Sequence, residues 1–276
     1  MIRATTSILL TTAFFASGCG GAPVAPVIPL ASGADQCLAQ YGDDIGPPSV
    51  DLNGRWLLRE EQRSMTDAPM VGEVVTTTRF WILADIAQTD EALNITMEMC
   101  HIDTESSNDS ATSSLSRQFV ETMGTIDVPA TFLRVDSTHV LYQAPDLRIR
   151  GADRAVIGYD PLPEDDDDPR VQDDDQDGNP GVTVNVSGMV DGQIYIVQRR
   201  ETSLCGAGDE DGIEGLITWQ IDQTTVGASS FMLNRQTELV PVPDPTVHRF
   251  WLSRLPNETT CAEIYSEASE PGASVE

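Results

Sequence analysis

Apolar and polar positions alternate along much of this chain with a period of two. Leu93, Ile95, Met97 and Met99 share one side of a stretch whose other side carries Asn94, Thr96 and Glu98. Val182, Val184 and Val186 repeat the pattern, as do Ile217, Trp219 and Ile221. Successive side chains of a strand point to opposite faces, so each segment predicts a half-buried antiparallel strand, one face to a core and one to water. Shorter runs predict further strands at 54–59, 74–85, 139–142, 229–234 and 248–253. Asp191-Gly192 lies between two alternating runs. It predicts a two-residue hairpin turn, because Asp-Gly supplies the positive φ angles such a turn needs. Helix signals are few. Leu115–Met123 predicts a short helix begun by Ser114, and Thr260 with Glu263 makes a capping-box pair for a short C-terminal helix. About eight to ten strands at short spacing, without amphipathic helices between them, imply an all-β fold. The expected architecture is an antiparallel β-barrel of consecutive hairpins, since closure removes the edges that an open sheet exposes. A β-sandwich is the alternative.

Charge sharpens this reading. Forty-four Asp and Glu face sixteen basic residues, all of them Arg, for a formal net charge of −28. Such a surface repels nucleic acid and anionic headgroups and suits divalent cations. Five cysteines are present. Cys37, Cys100, Cys205 and Cys261 form an even set, which in an oxidising compartment implies two disulfides. No two cysteines stand in C-x-x-C spacing, which argues against a zinc site. Cys37 and Cys261 lie in short helix-like segments near opposite ends of the domain, and chain termini often meet. The expected pairing is therefore Cys37–Cys261 with Cys100–Cys205.

The first residues carry an address. Arg3 precedes an apolar run from Ser7 to Phe15, then the small residues Ala16, Ser17 and Gly18, in the order of a secretory signal. The run is too short to span a bilayer, which needs ~20 residues. Ala16-Ser17-Gly18-Cys19 resembles the lipobox of bacterial lipoproteins. That resemblance implies removal of residues 1–18, acylation of Cys19 and a lipid anchor. Gly20 and Gly21, in place of a retaining Asp, imply the outer membrane. Residues 19–48 are rich in Ala, Pro and Gly and read as a lipidated tether, with a helical turn or two at 34–42. One β-domain is expected at 49–268 and a disordered tail at 269–276. Gly54-Arg55-Trp56, on the first strand, resembles the G-x-W of lipocalins. There the Trp closes the barrel floor beneath a late Arg, a place open here to Arg249 or Arg254. The resemblance covers three residues and an architecture, and implies an interior site for a small apolar molecule. Arg-Phe-Trp also recurs, at 79–81 and 249–251.

The densest chemistry lies in EDDDDPRVQDDDQDGNPGVTV, residues 164–184. Asp173, Asp175, Asp177 and Gly178 spell D-x-D-x-D-G, which resembles the first half of an EF-hand loop and the loops of dockerins. Alternate carboxylates fold around one hard cation, the Gly permits the sharp turn, and the carbonyl of Asn179 adds a ligand. A structural calcium ion is the expected cofactor. The twelfth position is Val184 rather than Glu, so the remaining ligand is sought in Asp165–Asp168 or in the acidic run 209–212. Residues 164–178 otherwise read as a solvated acidic loop. The three histidines, His101, His139 and His248, fall in no zinc or nucleophile motif. The expected function is that of a tethered, non-enzymatic envelope lipoprotein with a binding or structural role. Its expected partners are the membrane, through the anchor, and an envelope protein or small apolar ligand. A lipocalin-like carrier and an envelope hydrolase with a carboxylate pair are the alternatives.

Overall fold

A computed structural model describes residues 33–68, 71–136 and 138–269. The signal segment 1–18, Cys19 and residues 270–276 of the expected tail lie outside the described residues. Twelve strands form one sheet. They are β1 (Asp44–Gly46), β2 (Gly54–Ala68), β3 (Gly72–Thr89), β4 (Ala92–Ser106), β5 (Ala111–Leu115) and β6 (Thr125–Val135). After these come β7 (Thr138–Arg150), β8 (Val182–Gly188), β9 (Gly192–Gly208), β10 (Gly212–Ala228), β11 (Leu239–Pro241) and β12 (Arg249–Arg254). Four short helices join them: α1 (Ala34–Leu38), α2 (Arg117–Thr122), α3 (Arg154–Ile157) and α4 (Cys261–Ala268). None of the described helices is long and apolar enough to cross a membrane.

The all-β expectation holds. β2, β3, β4, β6, β7, β9, β10 and β12 each pair antiparallel with the next, and β12 returns to β2. These eight strands close into a ring. Where β7 leaves β9, β8 takes over its free length at Val182↔Ile196, and β5 extends β8.

Period-two alternation turns one set of side chains inward, and the two ends of the ring differ. At one end the interior is filled by Trp56, Leu58, Ile82, Ile95, Phe132, Leu204 and Phe250, all nearly or fully buried. Trp56 is fully buried, and its Nε1 donates to the Leu52 carbonyl at 2.8 Å. Of the two arginines open to the late-Arg position, Arg254 lies over this indole, 4.4 Å from the ring centre. Its guanidinium also donates to the carbonyls of Asp51, Asn53 and Glu210, tying the chain across this end. Arg249 instead stands beside Trp251. Gly206 and Gly215 are cross-strand partners. A Cβ on either would strike the Phe250 ring, at 2.5 and 2.7 Å, so the glycine pair makes room for that ring.

The repeated Arg-Phe-Trp has a register explanation. Residues 79–81 on β3 and 249–251 on β12 flank the same three β2 residues, one triplet on each side. Phe80 and Phe250 both stand opposite Glu60, Trp81 and Trp251 opposite Arg59, and Arg79 and Arg249 opposite Glu61.

Several expectations need correction. Residues 229–234 form no strand; the chain turns there after β10 ends. The helix expected at 115–123 is α2, capped by Ser116 rather than Ser114, because Leu115 is still paired in β5. The turn after β8 is longer than two residues: Val186 pairs with Gly192, and the Asp191 carboxylate accepts from the Gly188 N–H. The α4 capping box is as expected. The helical turn expected within 34–42 is α1, which packs against Val135, Val140 and Tyr142.

The disulfides are Cys37–Cys205 and Cys100–Cys261, so the expected Cys37–Cys261 and Cys100–Cys205 pairing is overturned. The physical reason is that α1 and α4 dock on different strands of the outer wall. α1 lies beside β7 and the Cys205 end of β9. α4 lies over β3 and β4, where a register shift beside Ile82 accompanies Cys100 packing outward against Ile264. Each bridge closes a span of more than 160 residues, 168 and 161, and so contributes about 5 kcal/mol in the chain-entropy model. Peptide mapping without reductant should recover Cys37 joined to Cys205, and Cys100 to Cys261. A Cys37–Cys261 peptide would contradict the docking of both helices.

Candidate functional site

The other end of the ring is hollow. A cavity of about 360 Å³ begins where the packed core stops. Its walls are the far inward residues of the same strands: Thr76 and Thr78 from β3, Met99 and Ile102 from β4, Ile196 from β9, Ile221 from β10. Phe119 and Met123, from α2 and its end, and Met232 and Leu233, from the turn after β10, border it. Large apolar side chains near this turn are exposed: Phe231 is 86% and Met189 59% accessible. Ser229 bonds Gln193 in both directions, which brings the two turns together.

The boundary between core and cavity is polar. Glu60, 5% exposed, faces inward between Phe80 and Phe250. It pairs with Arg200 of β9 at 3.2 Å and accepts from the Gln62 amide at 3.0 Å. Arg200 lies 4.4 Å from the Phe80 ring centre and 5.8 Å from that of Trp219. Burial pushes its pKa down to about 10, against the pull of Glu60. It therefore remains a cation at neutral pH. Arg148 of β7 stands directly opposite Arg200 in the register and pairs with Asp146 at 2.7 Å. This constellation is absent from the sequence reading. Arg148 and Arg150 show the right spacing for one strand face, but nothing local ties them to residue 200.

The acidic loop is the second candidate. Asp173, Asp175 and Asp177 bring one carboxylate oxygen each within 4.8 Å of one another. The loop is wound around Asp173, whose two oxygens accept from the Asp177 and Gly178 N–H groups at 3.1 and 2.9 Å. Gly178 takes φ +89°, the left-handed conformation the motif demands. Asn179 donates its backbone and side-chain N–H to Asp177. Asp175 is 1% exposed. Its Oδ2 accepts from Thr183 N at 2.8 Å and so fixes the start of β8, whereas its Oδ1 is buried with no donor among the described residues. A buried acceptor without a donor costs free energy that a cation would recover. The three aspartates thus fit a metal ion.

The expected extra ligands do not join them. Asp168 is bound by Arg170 at 2.5 Å, which pulls its pKa down to about 2. The run 209–212 forms the turn between β9 and β10, at the opposite end of β9 from Ile196, the partner of Val182. At ~3.3 Å per residue that separation is up to about 40 Å.

The histidines are committed to packing. His101 lies against Trp81 and Tyr265, and burial lowers its pKa. His139 stacks on Phe132 and accepts from the Ser49 N–H. His248 meets Trp219 edge-on and accepts from the Arg63 N–H. A scan against protein-family models finds no match, and neither does comparison with curated proteins or with solved structures.

Asp175 gives a signed pH test. Burial raises its pKa, the Thr183 N–H opposes the rise, and Asp177 adds to it. A carboxyl whose pKa is raised on folding holds its proton after the unfolded chain has released it, so its contribution to stability falls as pH rises through the folded value. In chelator at pH 7, Asp175→Asn should unfold at a temperature no lower than the wild type, and the gap should close in acid. A saturating divalent cation should reverse the order, stabilising only the wild type, by about 2.7 kcal/mol at a hundredfold excess over Kd. A variant that is less stable at every pH and still responds to the ion would refute the site.

Proposed function

We propose that this protein is a non-enzymatic binding protein of the cell envelope, anchored through lipid on Cys19, that holds a small, mostly apolar molecule inside its ring. The observation that carries this reading is the hollow half of the interior. A volume of about 360 Å³ lies within the ~300–1,000 Å³ of sites for small ligands. Interiors otherwise pack to crystal-like density, and the Trp56 end is filled with buried apolar side chains. The exposed Phe231 and Met189 suit an apolar mouth.

Further observations support parts of this proposal. Two disulfides accord with an oxidising compartment outside the cytosol. Kinship with lipocalins is supported by the ring of consecutive antiparallel strands and by Arg254 over Trp56. For the acidic loop the proposed ion is calcium, bound by Asp173, Asp175 and Asp177, with the Asn179 carbonyl and water completing the shell. Oxygen-only ligands favour this hard cation, and a site of this type binds it at roughly 10⁻⁴–10⁻³ M. Its role is structural: it would secure the start of β8 beside the cavity. The Asp175→Asn comparison, run with calcium, tests that part.

The carrier reading has a direct test. N-phenyl-1-naphthylamine, a neutral apolar dye, should gain fluorescence on binding the intact chain. Thr78 lines the cavity. Thr78→Trp should fill it and weaken the dye at least tenfold, with the far-UV spectrum unchanged. No fluorescence gain with the wild type, or equal affinity in Thr78→Trp, would overturn the reading.

A further inference from the structure

Resting on the carrier reading, we infer that the molecule held in the ring is an amphipathic anion, with its acidic headgroup against Arg148, Arg150 and Arg200 and its apolar body toward the mouth.

The first support is the sorting of charge. The chain carries forty-four acidic residues against sixteen arginines. The cavity reverses this balance: its lining includes Arg148, Arg150, Arg200 and Arg235 and not one Asp or Glu. A chain of net charge −28 disfavours anions, so cations placed on an interior wall have a local purpose.

The second support is strand register. Arg148 and Arg200 are direct partners across β7 and β9, and Arg150 faces Gln198 one step along the same pair. Like charges directly opposite destabilise a sheet. Asp146 and Glu60 each hold one of the facing arginines. Arg150 makes no salt bridge among the described residues, and Asp174 acts on it through its field.

The third support is the kind of polar atom left over. Arg200 Nε and Trp219 Nε1 are buried without an acceptor among the described residues, and Trp219 is 8% exposed. An outer nitrogen of Arg148 reaches only the Met97 sulfur, at 3.6 Å, and a thioether is a weak acceptor. All three groups are donors. A neutral hydrocarbon would leave them unpaired, whereas a carboxylate or similar headgroup supplies several acceptor sites. Around them Val74, Ile102, Phe119 and Ile196 offer apolar wall to the rest of the molecule. A headgroup alone would leave that wall bare.

A matched pair of ligands tests this. Dodecanoate and 1-dodecanol share a chain and differ in the headgroup. Each is titrated against the intact protein carrying N-phenyl-1-naphthylamine. Dodecanoate should displace the dye at a concentration at least tenfold lower than dodecanol. Arg150→Gln, which breaks no salt bridge, should cut that ratio several-fold while dodecanol is unaffected; Arg148→Gln should do the same. Equal displacement by the two, or a ratio indifferent to both substitutions, would overturn the inference and leave the carrier reading in place. Failure of the dye to bind at all would remove both.

Discussion

A buried ion pair lies at the boundary between the solid and the hollow part of this ring. Glu60 and Arg200 meet inside it, level with Phe80 and Trp219. On one side of them the inward residues are large and apolar and fill the space. On the other side they are hydroxyls, amides, arginines and medium apolar groups, and they do not. Burying two charges costs several kcal/mol of desolvation, and well-packed apolar residues in their place are often as stable or more so. Stability alone therefore gives no reason for the pair. Its physical consequence is a fixed guanidinium at the cavity floor, held in place by Glu60 and by the Phe80 face. Removing Glu60 alone would leave an uncompensated buried cation and cost about 3–5 kcal/mol.

The outer wall supplies the rigidity that a half-empty ring lacks. Arg254 locks the closed end by stacking on Trp56 and binding three carbonyls. Cys37–Cys205 and Cys100–Cys261 rivet the terminal helices to separate walls. At the hollow end the acidic loop holds the start of β8 through Asp175 and the end of β7 through Asp174, which accepts from the Gly151 N–H at 2.7 Å. Arg150 immediately precedes Gly151. The loop and the cavity are thus joined through two consecutive residues, so an ion in the loop and a ligand in the ring share one support.

Local features of this molecule were legible in the sequence and long-range ones were not. Alternation over 93–99 and 217–222 exposes the inward faces, because a strand's side-chain period is a property of the strand itself. D-x-D-x-D-G converges for the same reason: its five-residue span leaves little freedom. The alternation loses its phase after Cys100, where one extra residue puts His101 outward beside Trp81 and returns Ile102 to the inside. Disulfide pairing was hidden for another reason: it depends on which wall each helix covers, and no local pattern shows that. The cationic floor joins residues 60, 148 and 200, and only strand order brings them together. Sequence shows Arg-Ile-Arg and Arg-Arg; it does not show that Arg200 faces in while Arg199 faces out to Asp222.

Trp219 lies beside Arg200 at the cavity floor, which makes its fluorescence a local reporter of what reaches that floor. Dodecanoate brominated next to its carboxylate, and dodecanoate brominated at the far end of its chain, quench a tryptophan only at close range. The expected result is stronger quenching by the first, lost in Trp219→Phe, which places the headgroup at the ion pair. Equal quenching by both, stronger quenching by the second, or quenching that survives Trp219→Phe would contradict a cationic floor beneath a hollow ring.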